Sequence, residues 1–575
     1  MAPKEHVRPT TSNKKNRSKD ASKDTTSSSQ NVVEEPQGEE VVAEEVEEDS
    51  EIDEASLKGP FPGGPVNNEL LVDYRHHVAY HIWNGKERSV LRCRQPVTQL
   101  DSWSLDDEAI IFVNRVRESG LLPLVQWSFK TINCSLISAM VERWHPETNT
   151  FHLPVGEMGI TLDDVHQITG IPVMGQAVSK PQIENFDAAV ELVRDTLHID
   201  PSNIVSELAT SNGRSVRLSW LKEHLATKSR MMPQHTIECA VRGYLLYLLG
   251  CTIFSDKTGT HVSVEYLQYL LDLKKVKDHA WGAATLAHLY RQLGIASRAK
   301  CKQISGYLTL LQAWVYEYIP LLRPVQDDRV TQGFPRAALW KNSRNFPGLQ
   351  KNNVIVIREL LDSLTREQVD YEPYSNIRDS FPLQEYAFFN GCLVANRVYE
   401  PYMPERMLRQ LGHLQTIPKG PTRPDGKTRR PRVASSYRVT YGGSVTYMEQ
   451  WEDHLLGPRS RGPRTRSSWD IVPEYITWLD RVSHRFVQNP ENRRFGLTTS
   501  SSHMDRSSDD DWRVMIAEYL QPLVQGRYTS DVLQRYMQNV INYCQDSTPL
   551  PTLTPPSTSI KERHNKRGIG RPSQH

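Results

Sequence analysis

Trp144-His-Pro-Glu-Thr-Asn-Thr-Phe-His-Leu-Pro-Val-Gly-Glu-Met-Gly-Ile-Thr-Leu-Asp-Asp-Val-His-Gln-Ile-Thr-Gly-Ile-Pro-Val173 is the most informative segment of this 575-residue chain. Thr150 to Pro154 alternates polar and apolar residues as a short strand does, and Glu157 to Leu162 reads as a second strand, with Gly156 and Gly159 supplying turn freedom. A helix follows. Thr161 stands where its N-cap should be and Asp164 lies three residues on, an acidic form of the capping box that also sets negative charge on the helix's positive end. Gly170 and Pro172 stop it. Phe151 and Leu153 alternate with polar Thr150 and His152, and Ile160, Leu162, Val165 and Ile168 continue one apolar surface into the helix, so the block reads as structural, with Phe151 inside.

Outward from this block the apolar period is helical. Ile110, Ile111, Val113, Asn114 and Val116 lie on a helix ended by Gly120 and Pro123. Phe186 to Leu197, Val216 to Thr227, His235 to Leu249, Val262 to Leu271, Ala280 to Leu293 and Ile304 to Tyr318 continue as helices. Strand signals are few. The expected fold is therefore mainly α, one large domain over residues 59 to 495 with a small β element near the quoted stretch. Within it, Pro418 to Ser436 and Gly457 to Ser468 read as loops rich in Pro, Gly and Arg around a more ordered Tyr437 to Leu456, and Pro473 to Phe486 as a helix. Residues 1 to 58, with no aromatic residue, cannot offset the entropy of ordering and read as a disordered tail, basic and then acidic. Residues 496 to 575 read as a C-terminal extension: a helix capped by Asp509 to Asp511, another near Asp531 to Cys544, and a basic disordered tail.

Composition excludes several classes. The longest apolar run, Tyr244 to Phe254, is about half of what a bilayer crossing needs, and the N-terminus lacks the apolar core of a secretory signal. An intracellular protein with no membrane partner is expected. Seven cysteines without a C-x-x-C pair suit reduced thiols. The net charge of +1 hides twelve acids and no base between Glu34 and Glu54, which leaves the remainder at 1 + 12 = +13. That remainder suits a polyanion, and the acidic segment can compete for the same surface; a solvated tail is the plainer account.

The quoted block resembles the signature of the plant mobile domain, also called the aminotransferase-like plant mobile domain, found in the maintenance-of-meristems proteins and in plant transposons. Tyr244-Leu-Leu-Tyr-Leu-Leu-Gly-Cys-Thr-Ile-Phe254, Ala280-Trp-Gly-Ala-Ala-Thr-Leu-Ala-His-Leu-Tyr290 and Tyr307 to Pro320 resemble further family blocks in order, as do Arg406 to Pro418 and Trp478 to Pro490. The resemblance spans roughly Gly59 to Pro490. It implies a nuclear, non-catalytic protein in transcriptional regulation, transposon silencing, genome maintenance or meristem maintenance, with nuclear protein partners, a phosphatase-like subunit among them, and with DNA or chromatin in reach. The alternative it leaves is a transposon-derived accessory protein that binds nucleic acid.

Catalytic motifs give way to plainer readings. Asp256-Lys-Thr-Gly-Thr260 looks like an aspartyl-phosphorylation site but has neither membrane domain nor accessory acidic motifs, and reads as a loop between helices. Gly420 to Thr428 is a near miss to a phosphate-binding loop, with one residue too many and two prolines. His77 and His81 could face one way as metal ligands, but without a third ligand at short spacing they read as an amphipathic surface segment. Asp163 and Asp164 belong to the helix start. Trp281, Tyr290, Trp314 and Tyr316 could stack on bases, but at helical spacing among Leu and Ala they read as core. No lysine sits in a cofactor-binding context, and no cofactor, metal or catalytic residue is assigned. The candidate nucleic-acid contacts are Arg423, Lys427, Arg429, Arg430 and Arg432 with Arg459, Arg461, Arg464 and Arg466, guanidinium forks on extended Pro/Gly loops. Lys14, Lys15, Arg17 and Lys19 read as a nuclear-localisation cluster, joined by the basic run Lys561 to Arg571.

Overall fold

The computed structural model describes residues 59–226, 233–324, 333–341, 353–419 and 444–492, apart from 466 and 468. Both tails, the two C-terminal helices and most of the Pro418 to Ser436 loop lie outside the described residues. The chain enters through α1 (Val78–Trp83), β1 (Arg92–Arg94), α2 (Ile110–Glu118), α3 (Leu122–Trp127) and α4 (Cys134–Val141). The signature block forms β2 (Trp144–His145), β3 (Thr150–Leu153), β4 (Gly156–Met158) and α5 (Leu162–Thr169). Next come α6 (Phe186–Leu197), α7 (Pro201–Ala209), β5 (Ser215–Arg217), α8 (Leu218–Leu225), α9 (Gln234–Cys251), β6 (His261–Ser263), α10 (Trp281–Ala296), β7 (Gln303–Ser305) and α11 (Leu308–Tyr318). The last part holds α12 (Ala337–Trp340), α13 (Val354–Asp362), β8 (Gly391–Ala395), β9 (Val398–Tyr402), α14 (Ser444–Glu449), α15 (Pro458–Arg461) and α16 (Tyr475–Val482).

The architecture is mainly α. Helices α9, α10 and α11 are apolar on nearly every side, which only a helix surrounded by protein can tolerate, and they run through the core. At Gly250 of α9 a Cβ would collide with Val262 of β6 and Leu218 of α8, so glycine lets the three elements close up. Trp281, Tyr290, Trp314 and Tyr316 are all buried, as their helical spacing suggested. Trp144, Phe151, Trp314 and Tyr318 form a run of aromatic contacts with centroids 4.8, 5.2 and 4.9 Å apart, which ties the signature hairpin to α11. Leu91 to Val116 join the same core. A second, smaller core packs Phe61, Leu71, Tyr74, Val78 and Ile82 against Val482 and Val487, so the entry segment and the end of α16 cover each other.

Several boundaries move. Val262 to Leu271 is not a helix: its start pairs with β5 and its remainder winds as a 3-10 turn, because Val216 and Val262 lie opposite each other in a two-stranded sheet. The starts of the helices expected from Val216 and Ile304 are likewise strands, the latter pairing in parallel with β1. Besides the meander β2-β3-β4, the described residues hold three two-stranded sheets, so β structure is scattered and not confined to the signature. Pro123 does not end α2; it opens α3, where a missing N–H costs nothing. The Gly457 to Ser468 loop contains the single-turn helix α15. The second signature strand stops at Met158 instead of Leu162.

Candidate functional site

The hairpin β2-β4 sets the polar interior of the molecule. Asn149 takes φ 49° in its first turn, a conformation asparagine tolerates, and the register then opposes Trp144 to Phe151 and His152 to Glu157. Strand β3 does not alternate between core and solvent: all four residues are buried, because protein covers both faces. Polar side chains there need partners. Thr148 Oγ1 lies 3.0 Å from His152 Nε2, and Ser483 Oγ lies against Nδ1. Glu157 meets His152 at 3.1 Å and Arg406 at 2.6 Å. Burial alone would raise the Glu157 carboxyl's pKa, but Arg406 and His152 outweigh it and hold the group below the usual carboxylate range. Arg409 donates to the Val155 carbonyl and the Tyr371 hydroxyl at 2.9 Å each, and its guanidinium lies 4.6 Å from the Tyr371 ring centre.

Beside this seam three histidines converge from distant parts of the chain. His77 caps α1, where its Nδ1 accepts from Ala79 N–H at 3.1 Å while Nε2 donates to the Trp144 carbonyl at 2.8 Å. His145 lies on β2 and His484 just past α16, with their Nε2 atoms 2.7 Å apart. The His484 Nδ1 faces the Phe486 carbonyl at 3.2 Å and must donate there, so its Nε2 is the acceptor and His145 Nε2 carries the proton. The His77 and His145 rings stack at 4.2 Å. Burial pushes the His77 pKa down to about 3, and burial together with the neighbouring imidazoles pushes His145 and His484 well below the ordinary histidine value. One ring nitrogen from each of His77, His145 and His484 lies within 4.8 Å of the others, which is the arrangement among the described residues that could hold a metal ion. Outside the seam, a groove of about 610 Å³ opens between Pro154, Val155, Leu364, Arg366, Arg409 and Trp469.

A family model for the plant mobile domain matches residues 120–479. The chain belongs to the plant mobile domain family. It is 37% identical over 431 residues to Protein MAIN-LIKE 1 of Arabidopsis thaliana, covering 73% of this chain and 79% of that one. It is 36% identical to Protein MAINTENANCE OF MERISTEMS of the same plant, over 61% of this chain and 71% of the relative. It is also 29% identical to the Serine/threonine-protein phosphatase 7 long form homolog from that plant, over 75% of this chain but 33% of the relative. No solved structure matches.

In this plant mobile domain the capping box is formed: Asp164 N–H donates to Thr161 Oγ1 at 3.0 Å, and Thr161 N–H donates back to Asp164 Oδ2 at 2.6 Å. Asp164 also accepts from the Tyr318 and Tyr374 hydroxyls, and Asp163 pairs with Arg378, so both acids are structural. Asp256 holds its own loop by accepting from the Gly259 and Thr260 N–H groups at 2.6 and 3.1 Å. His77 corrects an expectation: it is buried, not part of a surface stripe, and its partners are His145 and His484, not His81. Sequence spacing could not reveal that pairing across more than 300 residues; the one available hint was polar side chains inside an otherwise apolar signature. Of the candidate nucleic-acid contacts, Arg459 and Arg464 are exposed. Arg461 instead packs its guanidinium 3.8 Å from the Phe388 ring centre and pairs with Glu385. Arg423, Lys427, Arg429, Arg430, Arg432 and Arg466, like Lys14, Lys15, Arg17 and Lys19, lie outside the described residues.

Proposed function

We propose that this plant mobile domain protein acts in the nucleus without catalysis, in a meristem-maintenance-type role exercised through transcriptional control, transposon silencing or genome maintenance. The observation that carries this reading is the 36–37% identity to the proteins named MAIN-LIKE 1 and MAINTENANCE OF MERISTEMS. The internal use of the signature supports it, since Phe151, His152, Glu157 and Asp164 are all buried and bonded within the fold. The protein works by holding other nuclear proteins, with a phosphatase-like subunit as one partner. Support for that partner is the relative named as a phosphatase 7 long form homolog, which carries similar sequence over a third of its length. Affinity capture from plant nuclei followed by mass spectrometry tests the reading. Recovery of a phosphatase-like subunit with chromatin proteins is expected; a tagged protein that stays cytosolic and captures neither would overturn it.

A further inference from the structure

We propose that His77, His145 and His484 bind one zinc ion that clamps the entry segment, the signature hairpin and the end of α16 to one another. Zinc takes imidazole nitrogens at about 2.0–2.1 Å in tetrahedral geometry, which sets the nitrogens about 3.3 Å apart. The three ligand nitrogens lie within 4.8 Å of one another, so admitting the ion takes opening the 2.7 Å His145–His484 contact by about half an ångström and drawing the wider separations in by up to about 1.5 Å. The outer shell is in place. The Phe486 carbonyl takes the ring proton of His484, which leaves the His484 Nε2 lone pair for the metal, and the Trp144 carbonyl takes that of His77, whose Nδ1 binds the ion by releasing the Ala79 N–H. His145 adapts by carrying its proton on Nδ1 when Nε2 is given to the metal.

Two further atoms point to a ligand here. The buried Tyr74 ring packs against all three imidazoles, with centroids 6.2, 6.2 and 5.2 Å away, yet its hydroxyl has no hydrogen-bond partner among the described residues. A zinc-bound water in the fourth position gives that hydroxyl a partner. Glu147, two residues beyond His145, holds the Asp73 N–H through one oxygen while its other oxygen is buried without a partner among the described residues. Three imidazoles with a fourth position left for water suit zinc, and with no sulfur ligand in the set a copper(I) or iron–sulfur centre is disfavoured.

The test uses the full-length protein, dialysed after purification and analysed for metals by plasma mass spectrometry. About one zinc per chain is expected, and His484→Gln, with a wild-type circular dichroism spectrum, is expected to retain at most a tenth of it. A wild-type chain that remains zinc-free after refolding with zinc, or a folded His484→Gln that keeps its full complement, would overturn the site. Should His484→Gln fail to fold, cobalt(II) exchanged into the wild type decides the matter. Intense visible absorption of tetrahedral nitrogen-bound cobalt supports the assignment; the weak spectrum of an octahedral ion rejects it.

Discussion

Phe151 is enclosed between Trp144 and Trp314 and has no exposed surface. Truncating it leaves a cavity between two indoles that cannot collapse, so Phe151→Ala should cost about 3–5 kcal/mol in a denaturant titration; an unchanged midpoint would mean the ring is not packed as described. Cys134 is half-buried at the first position of α4 and receives a hydrogen bond from the Cys93 thiol, which lowers its pKa to about 6. Above that pH it is a thiolate, below it a thiol. Alkylation by iodoacetamide, mapped by mass spectrometry, should therefore mark Cys134 ahead of buried Cys239 and Cys251, with a rate that rises through about pH 6. Equal labelling of all three, or a midpoint near that of a free thiol, would contradict the pairing.

At the scale of elements, the hairpin is anchored by charge as well as by apolar contact. Arg406 and Glu157 are both fully buried, and removing the arginine strands a carboxylate in the interior. Arg406→Met should destabilise the protein by about 3–5 kcal/mol, and adding Glu157→Gln should recover part of that loss because no buried charge then lacks its partner. A double variant no more stable than the single one would show that the pair is not coupled. Thr161→Ala, which removes the cap of α5, should cost about 1 kcal/mol. The elements most legible in the sequence were those with a local cause. Phe186 to Leu197 matched its helix to the residue because Asn185 caps it and the apolar stripe has a helical period. The capping box of α5 was equally readable. Val262 was not, since its strand exists only because Val216 lies opposite it. The helix α13 and the hairpin β8–β9 passed unread, and the histidine cluster depends on contacts that no window of neighbouring residues contains.

The whole molecule carries its charge unevenly, with twelve acids and no base between Glu34 and Glu54. Binding to nucleic acid through exposed Arg459 and Arg464 and the basic residues beyond the described segments should weaken steeply as salt rises. Deleting Glu34 to Glu54 should strengthen it by removing twelve competing acids. Binding that ignores salt, or none after the deletion, would leave protein contacts as the sole mode of action. Neutralising Lys14, Lys15, Arg17 and Lys19 together with the Lys561 to Arg571 run should shift a fluorescent fusion to the cytosol. The small core that joins Phe61, Leu71 and Ile82 to Val482 and Val487 has one more consequence. On the ribosome the first of these residues emerge long before the last, and at roughly 5–20 residues per second the wait is on the order of tens of seconds. Through that interval the nascent chain shows a bare apolar strip to the cytosol, so its early synthesis calls for a chaperone, and a message cut short before α16 should yield aggregates instead of a smaller working domain.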